Sequence, residues 1–172
     1  MKKDLAIIAG LFLLIIFLII FGGPFTSLGF ITGKKNVLEQ AQKIPDVNVT
    51  IKSLSVKAKI ADNDTLRKKG LSKMDSLPFD QGMLFVFDKP GTNGIWMKDM
   101  RFAIDTIWLD ENKMITDIVT EVPPERGKKD SELTIYKPSH DSKYILEINA
   151  GLVKLNNIQV RDQAKFELPK NQ

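Results

Sequence analysis

The chain has 172 residues, 43% of them hydrophobic, and a net charge of +4; that is enough apolar material for one self-supporting core. With no cysteine and a single histidine, disulfide frameworks, thiolate metal sites and metal centres built on several histidines are excluded. The 25 basic residues are scattered among 21 acidic ones, so no basic stripe supports nucleic-acid binding.

Leu5 to Phe21 is an unbroken apolar run directly behind Lys2 and Lys3. As a helix it spans ~26 Å at ~1.5 Å per residue. No charge follows until Lys34, so Gly22 to Phe25 can complete a ~30 Å crossing. The lysines hold the N-terminus in the cytoplasm and send the rest outward. The run is longer than the ~7–15 residues of a signal-peptide core, so it reads as an uncleaved single-pass anchor. Ser27-Leu28-Gly29 leaves a cleaved signal as the alternative. Residues 1–33 are therefore expected to be anchor and exit, 34–46 a short tether, and 47–172 an extracytoplasmic β domain at the cell membrane. Within the tether, Asn36 can cap a short helix that Pro45 stops.

Val47, Val49 and Ile51 share one parity, and Leu54, Val56, Ala58 and Ile60 the other. Period-two alternation predicts strands, with a bulge or tight turn at Lys52–Ser53. Asp62 to Thr65 opens a short helix through Arg67–Gly70, acids at its positive end. It is no calcium loop, because Arg67 and Lys73 stand where Gly and Glu are required. Arg67-Lys68-Lys69 is read as that helix's solvated face. Gly82–Phe87 is a continuous apolar run suited to a buried strand, and residues 88–94 form a turn. Ile95–Met97, Ile104–Leu109 and Met114–Val122 are expected strands, with a hairpin tip at residues 110–113. From Pro123 to His140 the chain is polar and weakly periodic, a long loop of the kind that forms flaps. Tyr144–Asn149 returns to strand, Gly151–Asn156 makes a helical turn, and Ala164–Leu168 closes the sheet. The sum is a mainly β, small single-domain barrel or sandwich with one or two short helices, preceded by the transmembrane helix.

No nucleophile elbow, P-loop, zinc-protease motif or dinucleotide fingerprint is present, so no cofactor and no metal are expected. A Ser-His-Asp triad would need His140, which lies in the loop between Pro138 and Asp141 and reads as solvent-exposed. The densest polar-in-apolar block runs from Trp96 to Asp105. Asp105 sits inside an apolar strand, and Glu147 repeats the situation in Tyr144–Ile148. Facing one another, the two would form an acid/base pair of the glycosidase kind. Otherwise they accept hydrogen bonds from turn backbones or pair with Lys98 and Arg101. Trp96 and Trp108 are candidate stacking platforms, with Lys98 and Asp99 as polar partners, and core packing of the aromatics is the plain alternative.

The segments Gly70-Leu71, Gly82–Phe87, Trp96–Asp99, Ile104-Asp105 and Tyr144–Gly151 occur in one order. In that order they resemble the domain-of-unknown-function family numbered 192, over roughly residues 54–168. The family pattern reads G-L-M, G-M-L-F-V-F, F-W-M-K-N-T-x-x-P-L-D-I, then Y-V-L-E-L-N-A-G before G-I-x-x-G-D. Here Asp99 and Met100 replace its Asn-Thr, Ala103 its Pro, Ile104 its Leu, and Arg161-Asp162 its closing Gly-Asp, while Lys98, Asp105 and Glu147 match. The resemblance implies a compact barrel or sandwich and no mechanism. The functional expectation is an anchored binding module for a glycan, a peptide or a membrane protein, and the alternative is a hydrolase using Asp105 and Glu147.

Overall fold

The alternation at residues 47–60 folds into a hairpin. The computed structural model describes residues 44–169 and pairs β1 (Asp46–Ile51) with β2 (Leu54–Ala61) through the register Ile51↔Leu54. Lys52 takes a positive φ of 51° in the two-residue turn, as primed hairpin turns require. The predicted anchor and the predicted tether helix lie outside the described residues. Among the described residues no helix is long and apolar enough to cross a membrane.

Helix α1 (Asp64–Lys69) begins where expected, because the Asn63 side chain accepts the Leu66 N–H at 3.0 Å. Asp64 stands in its first turn and Arg67, Lys68 and Lys69 in its last, each complementing the helix dipole. It ends at Gly70, whose φ of 48° suits a residue without a Cβ. The helix joins β2 to β3 (Gln81–Gly91), which lie parallel. The remaining elements are β4 (Ile104–Leu109), β5 (Ile115–Val122), β6 (Ser142–Asn149), α2 (Leu152–Leu155) and β7 (Ala164–Lys165).

The seven strands form one sheet in the order β5-β4-β6-β3-β2-β1-β7. It curls until its two ends meet: Ile115 exchanges backbone hydrogen bonds with Arg161 and Asp162, and Ala164 donates to Lys113. The result is a mainly β, curled half-barrel with two short helices, and no second sheet makes a sandwich among the described residues. One apolar cluster draws on all seven strands, from Val47 to Ala164, and fills the inside of the curl. A second covers the outer face of β3, β4 and β6, where Leu71, Leu77, Ile95, Met97 and Met100 pack on Met83, Phe85, Trp108 and Ile145. Every residue of β4 is consequently buried, which explains why its sequence lacks a polar face.

One expected strand differs. Ile95–Met97 is no strand but a single bridge, Ile95↔Tyr136, because the chain turns at once into Asp99 with φ 56°. Residues 123–140 form the expected long loop, which side-chain bonds fasten at several points. Glu125 holds the Thr134 hydroxyl (2.8 Å) and N–H (2.9 Å), and Asp130 pairs with Lys98.

Candidate functional site

The register of β4 against β6 decides what the two strand carboxylates can do. Asp105 lies opposite Ile148, and Thr106 lies opposite Glu147. Side chains alternate across a sheet, so Asp105 points into the curl with Ile107 and Ile148, and Glu147 points to the outer face with Thr106. The acid/base pair, the alternative reading of these two residues, is not formed, since a sheet separates its members. Asp105 is fully buried. One of its oxygens accepts the Glu121 N–H at 2.8 Å and the other the Val153 N–H at 2.9 Å. It is a backbone staple, the plainer of the two readings open to it.

Glu147 is different. It is 5% exposed, and burial pushes its carboxyl up to about 8, so near neutral pH it holds a proton and donates. Among the described residues no protein hydrogen bond offsets that burial. Met83 of β3 and Thr106 of β4 flank it in register, and the Thr106 hydroxyl is buried without a partner. The strands come this close because residue 82 is glycine: a Cβ there would meet the Glu147 carbonyl oxygen at 2.8 Å.

Glu147 forms the floor of a cleft of about 210 Å³. Phe85, Ile95, Met100 and Ile145 make its buried walls, while Lys68, Lys69 and Trp96 stand exposed at its mouth. Between them, Arg67 is fixed by Asp64 (2.7 Å) and the Val86 carbonyl (2.8 Å) and lies 5.2 Å from the Phe87 ring centre. Lys98 stands 5.7 Å from the Trp96 ring centre, and its bond to Asp130 pushes its pKa up, so it stays cationic.

Of the candidate residues, Trp96, Lys98 and Glu147 meet in this cleft. Asp99 does not; it lines an adjoining polar groove with Lys73, Arg101, Arg126 and Lys128, which shares Lys98 and Met100 with the cleft. Trp108 is no stacking platform, because it is wholly buried and its indole N–H donates to the Asn93 carbonyl at 2.9 Å. His140 is exposed, as expected, 3.6 Å from Asp117. Sequence reasoning missed the part played by Arg67, Lys68, Lys69, Phe85 and Met100. The basic triplet was visible, but only the β2–α1–β3 crossover brings it over the outer face.

A model of the family DUF192, described as Uncharacterized ACR, matches residues 47–166. The chain belongs to DUF192. Two solved structures are similar: a candidate transcription regulator from Sinorhizobium meliloti 1021 and a protein of unknown function from Novosphingobium aromaticivorans DSM 12444. Each is 23% identical with a TM-score of 0.62; the alignments cover 70% of this chain and 92% and 83% of theirs. At that identity they show the fold alone. No curated protein matches. The DUF192 segments converge on the cleft: Gly70-Leu71, Phe85 and Phe87, Trp96 with Lys98, and Ile145 with Glu147 all line it. Met100, where the family pattern has threonine, lines it as well.

Proposed function

We propose that this DUF192 domain is a binding module, that its ligand occupies the Glu147 cleft, and that the chain is anchored in a membrane with the domain outside. One observation carries the binding reading: a largely buried carboxyl that no group of the described residues satisfies opens into a cleft. A carboxyl with a purely structural role would be paired inside the protein, as Asp105 is, whereas this one meets whatever fills the cleft. Binding is favoured over turnover because the other carboxylate lining the cleft, Asp64, stands exposed and is held by Arg67 at 2.7 Å, which leaves it unsuited to share a proton with Glu147. A glycan fits poorly against Phe85, Ile95, Met100 and Ile145, which would leave its hydroxyls unpaired. A small molecule, or one end of a peptide, suits a volume below the ~300–1,000 Å³ of drug-sized sites.

A mixed fragment library titrated into the isotope-labelled full chain tests the site. Backbone resonances at residues 67–71, 94–98 and 145–147 are expected to shift together. Shifts scattered over the surface, or chemical conversion of a fragment, would defeat the reading.

The anchor rests on the Leu5–Phe21 run behind Lys2 and Lys3. Cells expressing the chain are expected to retain it in the membrane pellet after alkaline extraction and to lose the domain to protease added outside. Release on extraction would refute the anchor, and protection from protease would refute the orientation.

A further inference from the structure

We propose that the ligand of this cleft is an organic acid of three parts: an apolar middle, a hydrogen-bond acceptor at the inner end and a carboxylate at the outer end. The proposal rests on the binding reading above and names the chemistry of the ligand. Its first support is the wall. Phe85, Ile95, Met100 and Ile145 present only carbon and a thioether, and Phe87 adds a half-buried ring.

The second support is the floor. Glu147 is the single buried ionisable group lining the cleft. In its protonated form it offers one O–H, which wants a carbonyl, ether or hydroxyl oxygen. An alkyl terminus there would displace solvent from the carboxyl without replacing the hydrogen bond it loses.

The mouth supplies the third. Arg67, Lys68, Lys69 and Lys98 line it against a single exposed acid, Asp64. Asp64 is taken by Arg67, and Lys98 by Asp130, which leaves Lys68 and Lys69 outside any ion pair among the described residues. These two follow one another at the end of α1, so two ammonium groups stand at the rim, where their full charges outweigh the opposing partial negative charge at the end of this short helix. A cationic ligand would face net repulsion there, while a carboxylate gains both ammonium groups without leaving water.

Four para-substituted benzenes separate the three parts: 4-acetylbenzoate, 4-ethylbenzoate, 4-acetylbenzamide and 4-acetylbenzylamine. Affinities are read from the Trp96 indole N–H resonance of the full chain, with Trp108, the other of two tryptophans, as the buried control. The inference expects 4-acetylbenzoate to bind best. Losing the acceptor, as in 4-ethylbenzoate, should weaken binding about tenfold. Losing the charge should weaken it severalfold, and reversing the charge more. Lys68→Ala with Lys69→Ala should erase the preference for the acid over the amide. Glu147→Gln keeps a donor and should keep the preference for the acetyl compound, whereas Glu147→Leu should erase it. Met100→Thr, the family residue, should weaken all four compounds together. If 4-acetylbenzylamine or 4-ethylbenzoate binds as well as 4-acetylbenzoate, the inference falls while the binding reading stands. If none of the four moves Trp96 but fragments of other chemistry do, the outcome is the same. If nothing moves Trp96, both fall.

Discussion

Replacing Asp105 with asparagine is expected to lower the unfolding free energy by about 2–4 kcal/mol, read from urea denaturation. Both carboxylate oxygens accept backbone N–H groups, one from Glu121 and one from Val153. Hydrogen bonds to a charged acceptor contribute ~1.5–3 kcal/mol each. Asparagine keeps one acceptor and turns an NH2 donor against the other N–H, so one bond is lost and one contact becomes repulsive. The position magnifies the effect. Glu121 sits at φ 54°, in the bulge where the β4–β5 register slips between Ile104↔Val122 and Thr106↔Val119. Val153 lies in the first turn of α2, whose N–H groups need partners from elsewhere. One side chain thus fastens β4, the β5 bulge and α2. Because Asp105 faces the inside of the curl, ligand affinity in the folded fraction is expected to be unchanged. A variant as stable as the parent would show that these bonds contribute nothing, and one that stays stable but loses ligand would reopen a direct functional role.

The contrast between Asp105 and Glu147 also marks how far the sequence could be read. Alternation at Val47–Ile60, the apolar run Gly82–Phe87 and the helix start at Asp62–Thr65 are local signals, and each led to the correct element. Both carboxylates were visible as acids inside apolar strands. Their faces were not, because the face depends on the register between β4 and β6, segments about forty residues apart joined by long-range pairing. A one-residue slip would have put them on the same side. Lys68 and Lys69 were correctly read as solvent-exposed, yet exposure at the mouth of a cleft looks in sequence like exposure anywhere. Ile95–Met97 misled because a buried bridge segment carries the same apolar signature as a short strand, and only Tyr136, from a loop with no periodicity of its own, supplies its partner.

The second large effect is a pH dependence that belongs to Glu147. Unfolded, its carboxyl titrates near 4.5, and in the folded domain burial holds it near about 8. Between those values the folded chain keeps a proton that the unfolded chain has released. Stability therefore falls as pH rises across this window; the contribution is fully present below about 4.5 and gone above about 8. At ~1.36 kcal/mol per unit, the loss is on the order of a few kcal/mol. The other carboxyls whose pKa values move, Asp64, Glu125 and Asp162, are all lowered, and the moved Lys98, Lys128 and Tyr144 are raised from values already above it. Glu147→Gln has the same shape and cannot ionise. Its denaturation curves should match those of the parent near pH 5 and show greater stability, by a few kcal/mol, near about pH 9. The cleft should follow the folded-state titration alone: once Glu147 loses its proton the floor no longer donates, so preference for an acceptor-bearing ligand should hold in the parent below about 8, fade as pH rises through it, and persist in the glutamine variant. Parallel curves for the two proteins across that window would mean that Glu147 is ionised and satisfied in the folded state, and that the floor of the cleft is an acceptor rather than a donor.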